Sequence, residues 1–132
     1  ASDVYKRQLR READDCRRWN ELNPDQPPRR SYLETMLAGV EGPFVAASDY
    51  VKAIAEQVAP WIPGEFSVLG TDGMGRSETR EALRRHFEVD GPSVTFAALS
   101  ALGRRGLFSA AELVAARDDL GLDPNKKNPL HC

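Results

Sequence analysis

The segment Gly70-Thr71-Asp72-Gly73-Met74-Gly75-Arg76-Ser77 carries the residue types closest to a known chemistry, the cradling of phosphate. Its G-x-x-x-x-G spacing, followed by Arg76 and Ser77, matches a phosphate-binding loop. It also lies between a strand candidate and a helix candidate, the context such a loop needs. Two residues oppose that reading. Arg76 stands where a lysine would reach the terminal phosphates, and Asp72 puts a carboxylate among the amides meant to hold an anion. No later apolar strand ends in an aspartate suited to magnesium. The plainer reading is a tight strand-to-helix turn whose glycines supply positive φ. The loop is therefore expected not to bind magnesium–ATP at micromolar concentration, and a small phosphate- or nucleotide-binding module is the alternative reading.

Other chemistry-bearing residues are dispersed. His86 and His131 lie far apart, and no cluster has metal-ligand spacing. Cys16 sits inside a helix candidate and reads as packing. A disulfide to Cys132 has no supporting pattern, and reduced cysteines are the expectation. Asp72 with Glu78, or Asp49 with Glu56, could form an acid/base pair, but capping and surface roles suit each of them better. Trp19, Tyr32 and Trp61 are too scattered for a base-stacking platform.

The elements that must position these residues follow from periodicity and caps. Residues 9–22 read as a charged amphipathic helix, with Leu9, Ala13, Cys16 and Asn20 on one stripe, ended by Asn23-Pro24. Ser31 and Glu34 form a capping box for a short helix. Residues 44–47 and 66–69 are apolar runs without alternation, as strands buried on both faces should be. Ser48 is expected to cap the helix between them. Ser77 is expected to cap the next helix, to about Phe87. Further helices are expected over 93–105 and, behind the Ser109–Glu112 capping box, to near Gly121. Strand, helix, strand, helix over 44–87 is a βαβ pattern, so the sheet should be parallel. Ligands gather at the carboxyl ends of such strands, here Ser48-Asp49 and Thr71-Asp72.

The 132 residues suffice for one domain, with 41% hydrophobic and 29% charged residues. Net charge is −2, from 18 basic and 20 acidic residues, so no broad electrostatic case for nucleic acid exists. The arginine pairs, Arg84-Arg85 among them, read as solvated helix faces. No apolar run reaches the roughly 20 residues a membrane span needs. No signal-peptide pattern occurs, and a cytoplasmic location is the expectation.

Three longer segments carry a resemblance. Pro43-Phe-Val-Ala-Ala-Ser-Asp-Tyr50, Leu69-Gly-Thr-Asp-Gly-Met-Gly-Arg-Ser77 and Arg80-Glu-Ala-Leu-Arg-Arg-His-Phe-Glu-Val-Asp90 together resemble the C-terminal end of the homodimeric, thiamine-diphosphate-dependent pyruvate dehydrogenases. Arg17-Arg-Trp-Asn-Glu-Leu-Asn-Pro24 and Leu122-Asp-Pro-Asn-Lys-Lys-Asn-Pro129 resemble the flanking segments of that family, so the likeness runs over residues 9–130. Met74 stands where the family usually has an aromatic, and Glu78 where it has an aspartate. Residues 1–8 do not resemble the family and read as an extension or an artefact.

The resemblance implies an α/β fold: a transketolase-like C-terminal domain over 9–132, truncated at its N-terminal side, with a short, mostly parallel sheet flanked by helices. It implies a parent enzyme that decarboxylates pyruvate oxidatively and passes the acetyl group to a lipoyl arm. Thiamine diphosphate and magnesium would be bound in the parent and not by this chain alone, because the family's Gly-Asp-Gly and paired-asparagine signature does not occur here. The implied partners are the rest of the polypeptide, a second copy in a homodimer, and the dihydrolipoyl acetyltransferase of the complex, with neither nucleic acid nor membrane. No catalytic, cofactor-binding or metal-binding residue carries over to this chain. Gly70, Thr71, Asp72, Gly73, Gly75, Arg76 and Ser77 remain as a candidate functional or structural loop.

Overall fold

A computed structural model describes residues 2–131; Ala1 and Cys132 lie outside the described residues, and so therefore does any pairing of Cys132. The chain opens with α1 (Ser2–Leu22), which starts earlier than the apolar stripe alone indicates and runs through the boundary expected near residue 9. Asp3 and Tyr5 thus lie within this helix. Charge pairs one turn apart support it: Arg10 Nε lies 3.6 Å from Asp14 Oδ2, and Arg17 Nη2 lies 2.9 Å from Asp14 Oδ1. Ala13 is buried where α1 meets α2 (Tyr32–Leu37).

The proline-rich connector between them is clamped to α1. Asn20 Nδ2 donates to the Arg29 carbonyl at 2.8 Å, and the Arg29 N–H donates back to Asn20 Oδ1 at 2.7 Å. The Arg29 guanidinium lies 3.9 Å above the Trp19 ring. Ser31 is fully buried and forms the expected capping box with Glu34. The Cys16 thiol donates to Glu12 Oε1 at 3.2 Å; burial, and then this carboxylate, push the thiol above its ordinary pKa.

Strands β1 (Phe44–Ala47) and β2 (Phe66–Leu69) occupy the expected residues and pair in parallel, Phe44 opposite Phe66 and Ala47 opposite Leu69. Between them lie α3 (Lys52–Glu56), packed on β2, and a single 3-10 turn at Ala59–Trp61. Then come α4 (Arg80–His86), α5 (Gly91–Arg104) and α6 (Ala110–Asp119). The α5 helix packs on both strands and on α6, and Ala101 is buried on it. Arg104 Nε donates to Glu65 Oε1 at 2.5 Å, tying the end of α5 to the residue before β2.

The expected α5 start moves two residues earlier, to Gly91, because Asp90 Oδ1 accepts from the Ser93 N–H at 3.1 Å and caps the helix. Ser109 and Glu112 close their capping box on α6 as expected. The Ser109 backbone N–H and hydroxyl hold the Glu112 carboxyl below its ordinary pKa.

Little of this surface is covered. The accessible area is 9144 Å2, about 2,200 Å2 more than a compact monomer of 14.6 kDa exposes. The sheet formed by the described residues has two strands, so each keeps one unpaired edge. Among the described residues, the buried apolar side chains are Ala13, Ala101 and Pro129, while Tyr50, Val51, Met74 and Leu130 stay exposed near the strand ends. An excess of this size is larger than one partner's share of a standard interface, about 800 Å2.

Candidate functional site

The carboxyl ends of β1 and β2 lie side by side, and the segments that leave them are stitched together. The Ser48 N–H donates to the Leu69 carbonyl at 3.1 Å. The Thr71 N–H donates to the Tyr50 carbonyl at 2.9 Å, and Thr71 Oγ1 to the Asp49 carbonyl at 2.8 Å. Ser48 does not cap α3. Its Oγ accepts from the Tyr50 N–H at 2.9 Å, and the helix begins only after Val51. Asp72 supplies a cap from across the loop, its Oδ1 accepting from the Lys52 N–H at 3.2 Å. The Asp72 carboxylate is therefore already committed to a helix start.

The glycines of the 70–77 loop have different reasons to be glycine, and only one is the expected positive φ. Gly70 is buried without positive φ. A Cβ there would sit 2.6 Å from the Tyr50 carbonyl oxygen and 2.8 Å from the Lys52 nitrogen, so the close approach of two backbones excludes it. Gly73 has φ +122°, and a Cβ on it would collide with the Pro129 carbonyl oxygen. Gly75 has neither constraint and faces open space. Ser77 is not the cap of α4 either. Thr79 takes that place, with Oγ1 accepting from the Ala82 N–H at 3.3 Å.

A phosphate-binding loop points its free amides at the ligand. Here the Thr71 amide is bonded inside the fold, and the following helix has seven residues. The residues present do not fit a magnesium diphosphate either. Asp72 is engaged by Lys52, and Asp49 Oδ1 faces Arg84 Nε at 3.8 Å. Among the described residues, no three His, Cys, Asp or Glu side chains converge as metal ligands, and no helix is long and apolar enough to cross a membrane.

Two cavities flank the loop. On one side a cleft of about 370 Å3 is lined by Arg76, Arg80 and Arg84 together with Asp49, Leu83 and Phe87. On the other side a smaller space of about 240 Å3 separates the loop from the C-terminal tail. Lys126 holds the tail down. Its Nζ donates to the Arg85 carbonyl at 3.2 Å, the His86 carbonyl at 2.7 Å and Glu88 Oε1 at 3.0 Å, covering the C-terminal end of α4. The chain turns there through Glu88, at φ +59°. His86 Nε2 is buried without a partner beside Phe87, whose ring meets the imidazole edge-on at 4.8 Å.

The structure thus brings the expected strand-end residues together, Asp49 with Thr71 and Lys52 with Asp72. It adds Arg84, which sequence reasoning treats as solvated, and Arg80 and Lys126, to which it gives no role. A signal for two of them exists: Arg76, Arg80 and Arg84 recur every fourth residue, the spacing of one helical face. Lys126 has no local signal, because its partners lie about 40 residues away.

Comparison with known proteins agrees with the fold. The family model of the transketolase-like TK C-terminal domain matches residues 3–90. The chain is 48% identical, over 95% of its length, to the pyruvate dehydrogenase E1 component of Pseudomonas aeruginosa. It is 43% identical over 97% of its length to that of Escherichia coli K12, and 38% identical over 80% to that of Mycolicibacterium smegmatis. It spans only 14%, 15% and 13% of those proteins, respectively.

Proposed function

The chain belongs to the transketolase-like TK C-terminal domain family, and from that premise we propose that it is the C-terminal domain of a pyruvate dehydrogenase E1 component. The observation that carries this is identity of 38–48% along 80–97% of the chain to relatives named pyruvate dehydrogenase E1 component, of which it spans about one seventh. The parent enzyme decarboxylates pyruvate oxidatively and transfers the acetyl group to a lipoyl arm carried by the dihydrolipoyl acetyltransferase. It uses thiamine diphosphate and magnesium, works as a homodimer and resides in the cytoplasm.

Within that enzyme this domain is structural and supports the dimer. The large uncovered surface and the open sheet edges favour this role. An isolated α/β domain would close such edges itself, whereas a domain seated against the rest of its polypeptide and a second copy need not. The alternative, a stand-alone phosphate-binding loop, is disfavoured by the bonded Thr71 amide and the committed Asp72.

The test is a pair of assays with pyruvate, thiamine diphosphate and magnesium. The full-length polypeptide containing this chain should release carbon dioxide, and the 132-residue chain alone should not. Cofactor-dependent release by the chain alone, or none from the full-length polypeptide, would overturn the proposal.

A further inference from the structure

We propose that the cleft between α4 and the 70–77 loop binds a small phosphomonoester with an apolar body. Arg76, Arg80 and Arg84 would hold its phosphate, and Leu83 and Phe87 its body.

The helix face is the first argument. Arg80, Leu83, Arg84 and Phe87 follow the i, i+3, i+4, i+7 spacing of one amphipathic stripe, which ordinarily packs into a core. Here all four line an open cleft. Half of the stripe is cationic and half apolar, which is the composition a bound amphipathic anion would complement.

Charge is the second argument. Three guanidinium-bearing side chains share one concavity with a single carboxylate, Asp49, and that carboxylate pairs loosely with Arg84 at 3.8 Å. Among the described residues, no ion pair engages Arg76 or Arg80. The cleft therefore holds a net excess of positive charge, and a dianion would relieve its self-repulsion. Planar guanidinium forks suit phosphate oxygens, which accept two parallel bonds from each.

Size and place agree. A volume of about 370 Å3 lies in the range of small-molecule pockets, and the cleft sits at the carboxyl ends of the parallel strands. The concave apolar lining favours a compact ligand over a flat protein surface. Because side chains rather than loop amides make the contacts, binding should be weak and sensitive to salt.

The experiment titrates the full-length polypeptide containing this chain at low salt with phenyl phosphate, followed by phosphorus and proton NMR of the probe. Inorganic phosphate and benzyl alcohol are run alongside. The expected result is saturable binding of phenyl phosphate at about millimolar concentration, with both fragments at least about tenfold weaker. Arg80→Ala with Arg84→Ala should weaken it about tenfold or more, Arg80→Lys with Arg84→Lys by less, and Arg18→Ala on α1 should leave it unchanged. Circular dichroism of each variant checks that its helices are retained. No saturation by phenyl phosphate, or equal loss in Arg18→Ala, would overturn the site. Inorganic phosphate binding as tightly as phenyl phosphate would overturn the role of the apolar lining. Tighter binding of an acidic peptide than of phenyl phosphate would overturn the small-molecule assignment.

Discussion

Replacing Gly73 by alanine places an L side chain at φ +122° and drives its Cβ onto the Pro129 carbonyl oxygen. The backbone strain alone costs about 1–3 kcal/mol. The collision cannot be relieved by rotating a side chain, because the obstructing atom is backbone and Pro129 is buried. Relief requires lifting the tail, which weakens the three solvent-exposed Lys126 bonds by about 1 kcal/mol in all. A combined destabilisation of about 2–4 kcal/mol follows. Gly75→Ala is the internal control: its φ is not positive and no atom lies within 4 Å of the added Cβ. It should be neutral or stabilising by up to about 1 kcal/mol through the unfolded chain. Urea unfolding in the cold, followed by tryptophan fluorescence, reads both. With a slope of about 1–3 kcal/mol per molar urea, the Gly73 variant should lose roughly 1 M or more in midpoint relative to the Gly75 variant. Equal midpoints would refute the claim that the loop is held at positive φ against the tail.

Lys126→Met should speed amide exchange in residues 123–131 and shrink the penalty of Gly73→Ala, since a loosened tail can yield; additive effects in the double variant would contradict the latch. Ser109→Ala should cost about 0.5–2 kcal/mol through loss of the α6 cap. Glu112 has a folded pKa below its ordinary 4.5, so its contribution is complete above that value and fades as pH falls through the lower folded value. Protection of the first α6 amides should decline on acidification in step with this carboxyl, and protection unchanged down to full protonation would contradict the capping box. Calorimetric titration with magnesium–ATP should give no binding heat at micromolar concentration, because the loop's Thr71 amide and Asp72 carboxylate are bonded within the fold; micromolar saturation abolished by Ser77→Ala would contradict this.

Features governed by neighbouring residues were legible in the sequence. Both strands stand at the expected positions because short apolar runs bounded by glycine and proline leave little choice. The Ser31 and Ser109 capping boxes formed because each motif contains its own donors and acceptors. Competing caps, one distant and one local, explain the differences. Ser48 lost the α3 cap to Asp72, whose carboxylate arrives from 20 residues away. Ser77 lost the α4 cap to Thr79, an equally good acceptor two residues later. The loop was legible as a place, since strand ends mark it, and the expected positive φ is found at Gly73. Gly70 is glycine because another backbone crosses it, and two of the three cleft arginines, Arg80 and Arg84, belong to the following helix.

In the proposed reading the chain is one domain of a larger enzyme and depends on the rest of it for cover. Covering about 300 Å2 of apolar surface contributes several kcal/mol at about 25 cal/mol per Å2, comparable with the 5–15 kcal/mol that stabilises a typical domain. The direct measurement is thermal melting of the 132-residue chain beside the same chain with the upstream segment of its parent restored. The chain alone should aggregate or unfold at low temperature, and the longer polypeptide should melt cooperatively at a clearly higher one. A monomeric chain that melts sharply above about 60 °C without the upstream segment, and gains nothing from it, would contradict the account.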